Sequence, residues 1–190
     1  MKYVFMIALA TFFFANDCLA QENLLEKVPQ LQEVARQATG GAKGCGKGTF
    51  TLITSNGEIK ASSSLDPIHV FGKTIRVSDL LVLLKARADS NRTGEINPMS
   101  GEVSQLAYVV LLTLSFAQEP DTIPVIAELL NDKDDTIRAW SAIVLYRIAQ
   151  SNSNLKAEIE KIKFPKLAVQ SAKGRSVEPP EWLQIADGGI

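Results

Sequence analysis

Sliding the sequence along itself by 34 residues (137 − 103) brings two apolar stripes into register, which constrains the fold more than any other feature of the chain. Val103 falls on Ile137, Ala107 on Ser141, Val110 on Val144, Leu111 on Leu145 and Leu114 on Ile148. Within each segment these positions run i, i+4, i+7, i+8, i+11, the spacing of one face of an α-helix. The match is therefore one of buried pattern and not of composition alone. A period of this length belongs to arrays of paired helices, where each unit covers its apolar face with the next.

The intervening residues punctuate the array. Gln118-Glu119-Pro120-Asp121 breaks the helix predicted over 101–117. Asp121 is then expected to cap a helix in TIPVIAELL, with Pro124 tolerated in its first turn. Asn131 to Asp135 reads as a short turn, a helix is expected from Thr136 to Gln150, and a further one carries Leu155, Ile159 and Ile162. The tail 165–190, with Pro179-Pro180 and Gly188-Gly189, is expected to be irregular.

The stretch from Asp121 to Gln150, DTIPVIAELLNDKDDTIRAWSAIVLYRIAQ, resembles a HEAT repeat. Pro124 sits early in the first helix, Leu129-Leu130 ends it, and Asp132 occupies the turn. Ile137-Arg138 opens the second helix, followed by Ser141-Ala142, Leu145 and Ile148. The resemblance implies that Asp132 and Arg138 form a ladder between neighbouring repeats rather than a catalytic pair. It also implies that second helices line a concave, partner-binding side. The preceding unit, 79–117, departs from the pattern: Pro98 and Ser104 stand at the positions shifted from Asp132 and Arg138, so the ladder pair is not repeated there.

Upstream of the array the periodicity changes. Leu24, Val28, Leu31, Ala35 and Ala38 make one face of an amphipathic helix, with Pro29 in its first turn. In TFTLITSNGEIKASS, Asn56-Gly57 is the preferred pair for a two-residue hairpin turn. A turn there pairs Thr54 with Ile59 and Leu52 with Ala61, and puts Phe50, Leu52, Ile59 and Ala61 on one face. A second hairpin turning at Gly72-Lys73 is expected to pair Val70 with Ile75 and Ile68 with Val77, leaving His69 and Arg76 on a polar face. Ser78 is expected to cap a buried helix in DLLVLLKARA, and Asp89 to Ser100 reads as a long polar loop.

The first 20 residues belong to another physical class. Lys2 precedes Tyr3 to Phe14 (YVFMIALATFFF), an uncharged run of 12. Small residues then stand at the −3 and −1 positions of a cut after Ala20. Twelve residues span about 18 Å as a helix, short of the ~30 Å hydrocarbon core. The segment is expected to be a cleavable secretory signal, placing the mature chain outside the cytoplasm, secreted or periplasmic, without stable membrane insertion. Cys18 leaves with it, and Cys45 then has no internal disulfide partner. With 46% hydrophobic and 22% charged residues the chain is globular, and a net charge of −1 predicts no general attraction to nucleic acid.

Candidate chemistry is sparse. Gly41-x-x-Gly44-x-Gly46-Lys47-Gly48-Thr49 resembles the phosphate-binding loop of adenylate-kinase-like nucleotide kinases. Such a loop works between a buried strand and a helix N-terminus. Here an amphipathic helix is expected before it and a strand after it. His69 is the single histidine, which rules out paired-His zinc motifs. Asp132-x-Asp134-Asp135 lacks the glycine and glutamate of a calcium loop, with Ile137 and Ile143 at those positions. Asn91-Arg92-Thr93 is a glycosylation acceptor only on a eukaryotic secretory route. Residues 154–175 carry six Lys/Arg against two Glu, a solvated face or a surface for an acidic partner.

What remains is a surface. Trp140, Ile143 and Arg147 form a stripe beside the core stripe of the 136–150 helix, and Trp and Arg are enriched at binding hot spots. The stripe either packs against a neighbouring element or receives a partner. The expected fold is mainly α with a small β part: a short HEAT-like α-solenoid of paired antiparallel helices preceded by one or two β-hairpins. Its segments are a signal peptide at 1–20, a helix-and-hairpin module at 21–77, HEAT-like repeats at 78–164 and the tail from 165. The expected function is non-enzymatic binding of an unidentified protein through Trp140, Arg147 and Arg138, with no cofactor, metal or nucleic acid. The alternatives are a phosphotransferase using Gly41–Thr49 and a disulfide-linked dimer through Cys45.

Overall fold

Val28, Leu31 and Ala35 recur every three or four residues, and their side chains face inward along helix α1 (Val28–Gly40), with Val28 and Ala35 fully buried. The description is of a computed structural model and covers residues 24–40, 48–63, 67–94 and 104–186. The expected signal segment, Cys18, Cys45, Gly41–Lys47 and most of the loop after Gly94 lie outside these residues.

Strands β1 (Gly48–Thr54) and β2 (Gly57–Ser63) form the expected hairpin, antiparallel. The turn sits at Ser55-Asn56, one residue earlier than expected. The observed register pairs Leu52 with Ile59 and Phe50 with Ala61. Thr54 decides this: its hydroxyl donates to the Gly57 carbonyl (2.7 Å) and accepts from the Asn56 amide (3.2 Å), while Gly57 takes a φ of 124°. The register moves by two residues, so the same four side chains still share a face.

The second hairpin does not form. Pro67–Phe71 is a short helix, α2, closed by Gly72 at φ 86°, whose amide donates to Ile68 (2.8 Å). Proline in the first turn and glycine after the last favour this ending over a strand. His69 and Val70 therefore lie on a helix, and Thr74–Arg76 becomes strand β3, which pairs with β1 in parallel. The sheet order is β2-β1-β3.

Helix α3 (Val77–Thr93) starts directly after β3 with no side-chain cap, so Ser78 lies inside its first turn. It also runs through much of the expected polar loop. Arg92 pairs with Asp89, the Thr93 hydroxyl bonds the Asp89 carbonyl, and Gly94 ends the helix at φ 71°. The helices continue with α4 (Ser104–Leu114), α5 (Thr122–Glu128, extended by a 3₁₀ turn at Leu129–Asn131) and α6 (Asp135–Ser151). Then come α7 (Ser153–Ile159) and α8 (Lys166–Lys173). Asp121 flanks α5 without bonding its amides, whereas Asp134 accepts from the Thr136 amide (2.7 Å) and Asn152 caps α7. Helix α8 stands where an irregular tail was expected. Ala168, Val169 and Ala172 are buried on it, and the segment beyond returns to pair Phe164 with Ile185.

The fold is mainly helical with a three-stranded sheet. Helix α3 packs on α4 and α5, α4 on α6, α5 on α6, and α6 on α8. The sheet and α1 close the α3/α4 end: Phe50 meets Phe116 edge-on (5.8 Å between ring centres) and the Glu119 carboxylate accepts from the Ser55 amide. One contiguous core runs from Val28 to Ala172, so the hairpin is part of the helical body.

Candidate functional site

Two polar constellations stand out on the helical body, one buried and one exposed. The buried one centres on Asp132, in the turn between α5 and α6 and 1% exposed. Its carboxylate receives Arg87 of α3 through both Nε (2.8 Å to Oδ2) and Nη2 (2.8 Å to Oδ1). Asn91 Nδ2 (2.6 Å) and the Asp134 amide (2.8 Å) complete its shell. Burial pushes the Asp132 acid up, but the Arg87, Asp134 and Asn91 bonds outweigh it and hold the group below the usual carboxylate range. The bond from Asp132 likewise holds the Arg87 guanidinium above its usual range, against the desolvation that lowers it. Every oxygen lone pair worth using is spent on the protein itself, so this centre joins elements and offers nothing to a substrate. The Asn91 amide nitrogen, the atom glycosylation requires, is committed to Asp132.

Arg87 is the residue that the sequence pattern missed. The expected ladder partner, Arg138, instead clamps its own turn: Nη1 donates to the Asp132 and Lys133 carbonyls (2.8 and 2.9 Å) and Nη2 to Asp135 (3.2 Å). Pro124 and Ile137 take their expected places, Pro124 in the first turn of α5 and Ile137 fully buried near the start of α6.

The exposed constellation lies on α6 and its neighbours. The Trp140 ring is half-buried and tilts against Tyr108 of α4 at 4.7 Å between centres. The exposed Arg147 guanidinium lies over the same indole, 5.6 Å from its centre. Ile143, expected in this stripe, is buried at 1% exposure and belongs to the core. Burial raises the Tyr108 phenol, partly countered by Arg147 and Arg175. Arg175, just past α8, donates from Nη2 to the Thr136 hydroxyl (2.8 Å) and lies 3.8 Å from the Asp135 carboxylate. Next to it a shallow hollow of about 380 Å³ is lined by Asp135, Arg138, Leu167, Gln170, Ser171 and Arg175. Arg138 thus stands at this hollow and not beside Trp140, so the three expected contact residues do not form one patch. Leu167 is 62% exposed at its edge.

Gly41–Lys47, with Cys45 among them, carry the two alternative readings and lie outside the described residues, so only the flanking elements bear on the glycine tract. Helix α1 ends at Gly40 and strand β1 begins at Gly48, with Gly48 and Thr49 inside the strand. The glycine tract thus runs from a helix to a strand, opposite to the order that aims helix N-terminal amides at a phosphate. Among the described residues no group of three or more His, Cys, Asp or Glu is placed to hold a metal ion, and no helix is long and apolar enough to cross a membrane. Compared with known proteins, the chain matches no family model, no curated protein and no solved structure.

Proposed function

We propose that the chain is an exported, non-enzymatic helical-repeat protein of HEAT-like character that binds another protein across α4, α6 and α8. The packing supports stacked helix pairs: α3 with α4 and α5 with α6 are the paired helices, while α3 meets α5 and α4 meets α6 between pairs. On this reading Arg87 and Asp132 are the rung between the two units, and α4, α6 and α8 are the second helices that present the binding side. The uncharged run at 3–14 followed by small residues supports export.

The observation that carries the binding proposal is Trp140 held between Tyr108 and Arg147. A half-buried indole held by two neighbours loses little freedom when a partner covers its exposed part, which suits a hot spot. Affinity capture from the exported fraction, with wild-type and Trp140→Ala proteins as bait, tests it. The expected result is a partner lost with Trp140→Ala while the variant keeps a cooperative melt. Equal capture by both proteins overturns the proposal, and so does a variant that no longer melts cooperatively, which makes Trp140 core.

A further inference from the structure

The proposed docking face has a charge pattern that narrows its partner. Arg147 lies over the Trp140 ring, and no carboxylate pairs with it among the described residues. Arg175 anchors at Thr136 and shares Asp135 with Arg138 and the Ser171 hydroxyl. Lys133, Arg138 and Arg175 stand against Asp134 and Asp135 at that end of α6, an excess of one positive charge. Thr136, Trp140 and Arg147 follow one another along a single helix face, being four and then seven residues apart. Thr136 and Arg147 are separated by 11 residues (147 − 136), about 16 Å along the axis. An extended peptide covers that distance in about five residues at ~3.3 Å each.

Resting on the docking reading above, we infer that the partner presents an extended acidic segment. Two carboxylates about five residues apart would engage Arg147 and Arg175, with an apolar side chain between them on Trp140 and Tyr108. Guanidinium groups take carboxylates in a planar, two-bond geometry, and a desolvating aromatic floor between the two strengthens both pairs. The protein carries a net charge of −1, so the preference is local to this face and not a bulk attraction. The exposed Lys166 and Leu167 on α8 extend the same mixture of positive and apolar surface beside the hollow.

The test is an arrayed library of the pattern Glu-x-x-Leu-x-Glu, with its Gln-x-x-Leu-x-Gln counterpart, probed with the full chain. Strong acidic hits are then titrated at about 50 mM and about 300 mM salt against wild type, Arg147→Gln and Arg175→Gln. The expected result is selective retention by the acidic set, weakened about tenfold by either substitution and severalfold by salt. Equal retention by the two sets overturns the inference. So does undiminished binding by Arg147→Gln, whose exposed side chain can be changed without disturbing the core. Retention of a single-stranded oligonucleotide or of phosphatidylserine vesicles in place of the acidic peptides also overturns it. A natural partner captured in a Trp140-dependent but salt-insensitive way would leave the docking reading standing and remove only the acidic segment.

Discussion

Removing the Asp132 carboxylate is the most informative single perturbation of this fold. In Asp132→Ala the Arg87 guanidinium, 5% exposed, loses the carboxylate that accepts two of its bonds, and the Asn91 and Asp134 donors lose their acceptor. Breaking a buried pair from one side costs about 3–5 kcal/mol, because the surviving charge keeps its desolvation cost and loses its strongest partner. Against a total stability of roughly 5–15 kcal/mol this is a large fraction. At about 2–4 °C per kcal/mol for a chain of this size, the melting midpoint should fall by about 6–20 °C. Replacing both charges, as in Arg87→Met with Asp132→Leu, should recover a large part of that loss.

Urea unfolding of wild type, Arg87→Met, Asp132→Leu and the double variant, followed by circular dichroism, gives the coupling energy of the pair directly. A pH series adds an independent check. The folded Asp132 acid titrates below its unfolded value of about 3.9, so the stability it supplies is fully present above that pH. That contribution disappears as the pH falls through the lower, folded value. The gap between wild type and Asp132→Asn should therefore narrow in acid, below about pH 4. A loss under about 1 kcal/mol for Asp132→Ala would refute the reasoning, as would a double variant whose loss equals the sum of the singles.

Other predictions follow from single residues. Ser176 occupies the left-handed region (φ 59°) and closes α8 through amide bonds from Ser176 to Lys173 (2.8 Å) and from Val177 to Ala172 (3.2 Å). Ser176→Gly should therefore stabilise by about 0.5–1 kcal/mol in a thermal melt, and an unchanged or lower midpoint would count against this ending of the helix. The Tyr146 hydroxyl is buried with no hydrogen-bond partner among the described residues, so Tyr146→Phe should leave stability equal or raise it by about 1 kcal/mol. Burial lifts that phenol to about 12, above its unfolded value near 10, so the fold keeps its full stability below about pH 10 and loses some as the pH climbs toward 12, where the unfolded chain ionises first. Tyr146→Phe should blunt this alkaline loss, and an identical alkaline profile for both proteins would refute the assignment.

What the sequence made legible follows from the range of the forces involved. The helices α4 and α6 could be found because helical burial writes itself at intervals of three and four residues, as from Ile137 to Ile148. The β1–β2 hairpin was legible in its facing, since parity is local, while its turn depended on which bonds the Thr54 hydroxyl makes. In PIHVFGKTIRV, Ile68 and Val70 fit a strand as well as Pro67 and Val70 fit a helix. The parallel pairing of β3 with β1 decides between them, and it is invisible to local pattern. Arg87 was illegible for the same reason: its partner is 45 residues away, and a buried arginine on an apolar helix reads as surface until the turn carrying Asp132 is placed against it. Trp140 and Arg147 were found by residue type, but Tyr108, Arg175 and the burial of Ile143 needed the packing of α4 and α8 on α6.

A helical body exposes apolar surface at its ends unless something covers it. At one end the sheet and α1 do so, through Phe50 on Phe116. At the other, the segment after α8 doubles back: Phe164 exchanges amide–carbonyl bonds with Gln184 and Ala186 (2.8 and 2.9 Å), stacks on Tyr146, and is fully buried. Trp182 packs on the core from the same segment, with the Lys156 ammonium 6.0 Å from its ring centre. Ending the chain after Val177 removes these contacts but keeps α8 and its closing turn. Burial of Phe164 alone is worth about 1.5–3 kcal/mol, and the half-buried Trp182 indole adds to that, so the truncated protein should unfold at distinctly lower urea than the full chain. Its unfolding slope should change little, since most of the core remains. Trp182→Ala should reproduce part of the loss without shortening the chain. If truncation leaves the midpoint in place, the segment is an appendage and the packing of α8 on α6 closes the helical body unaided.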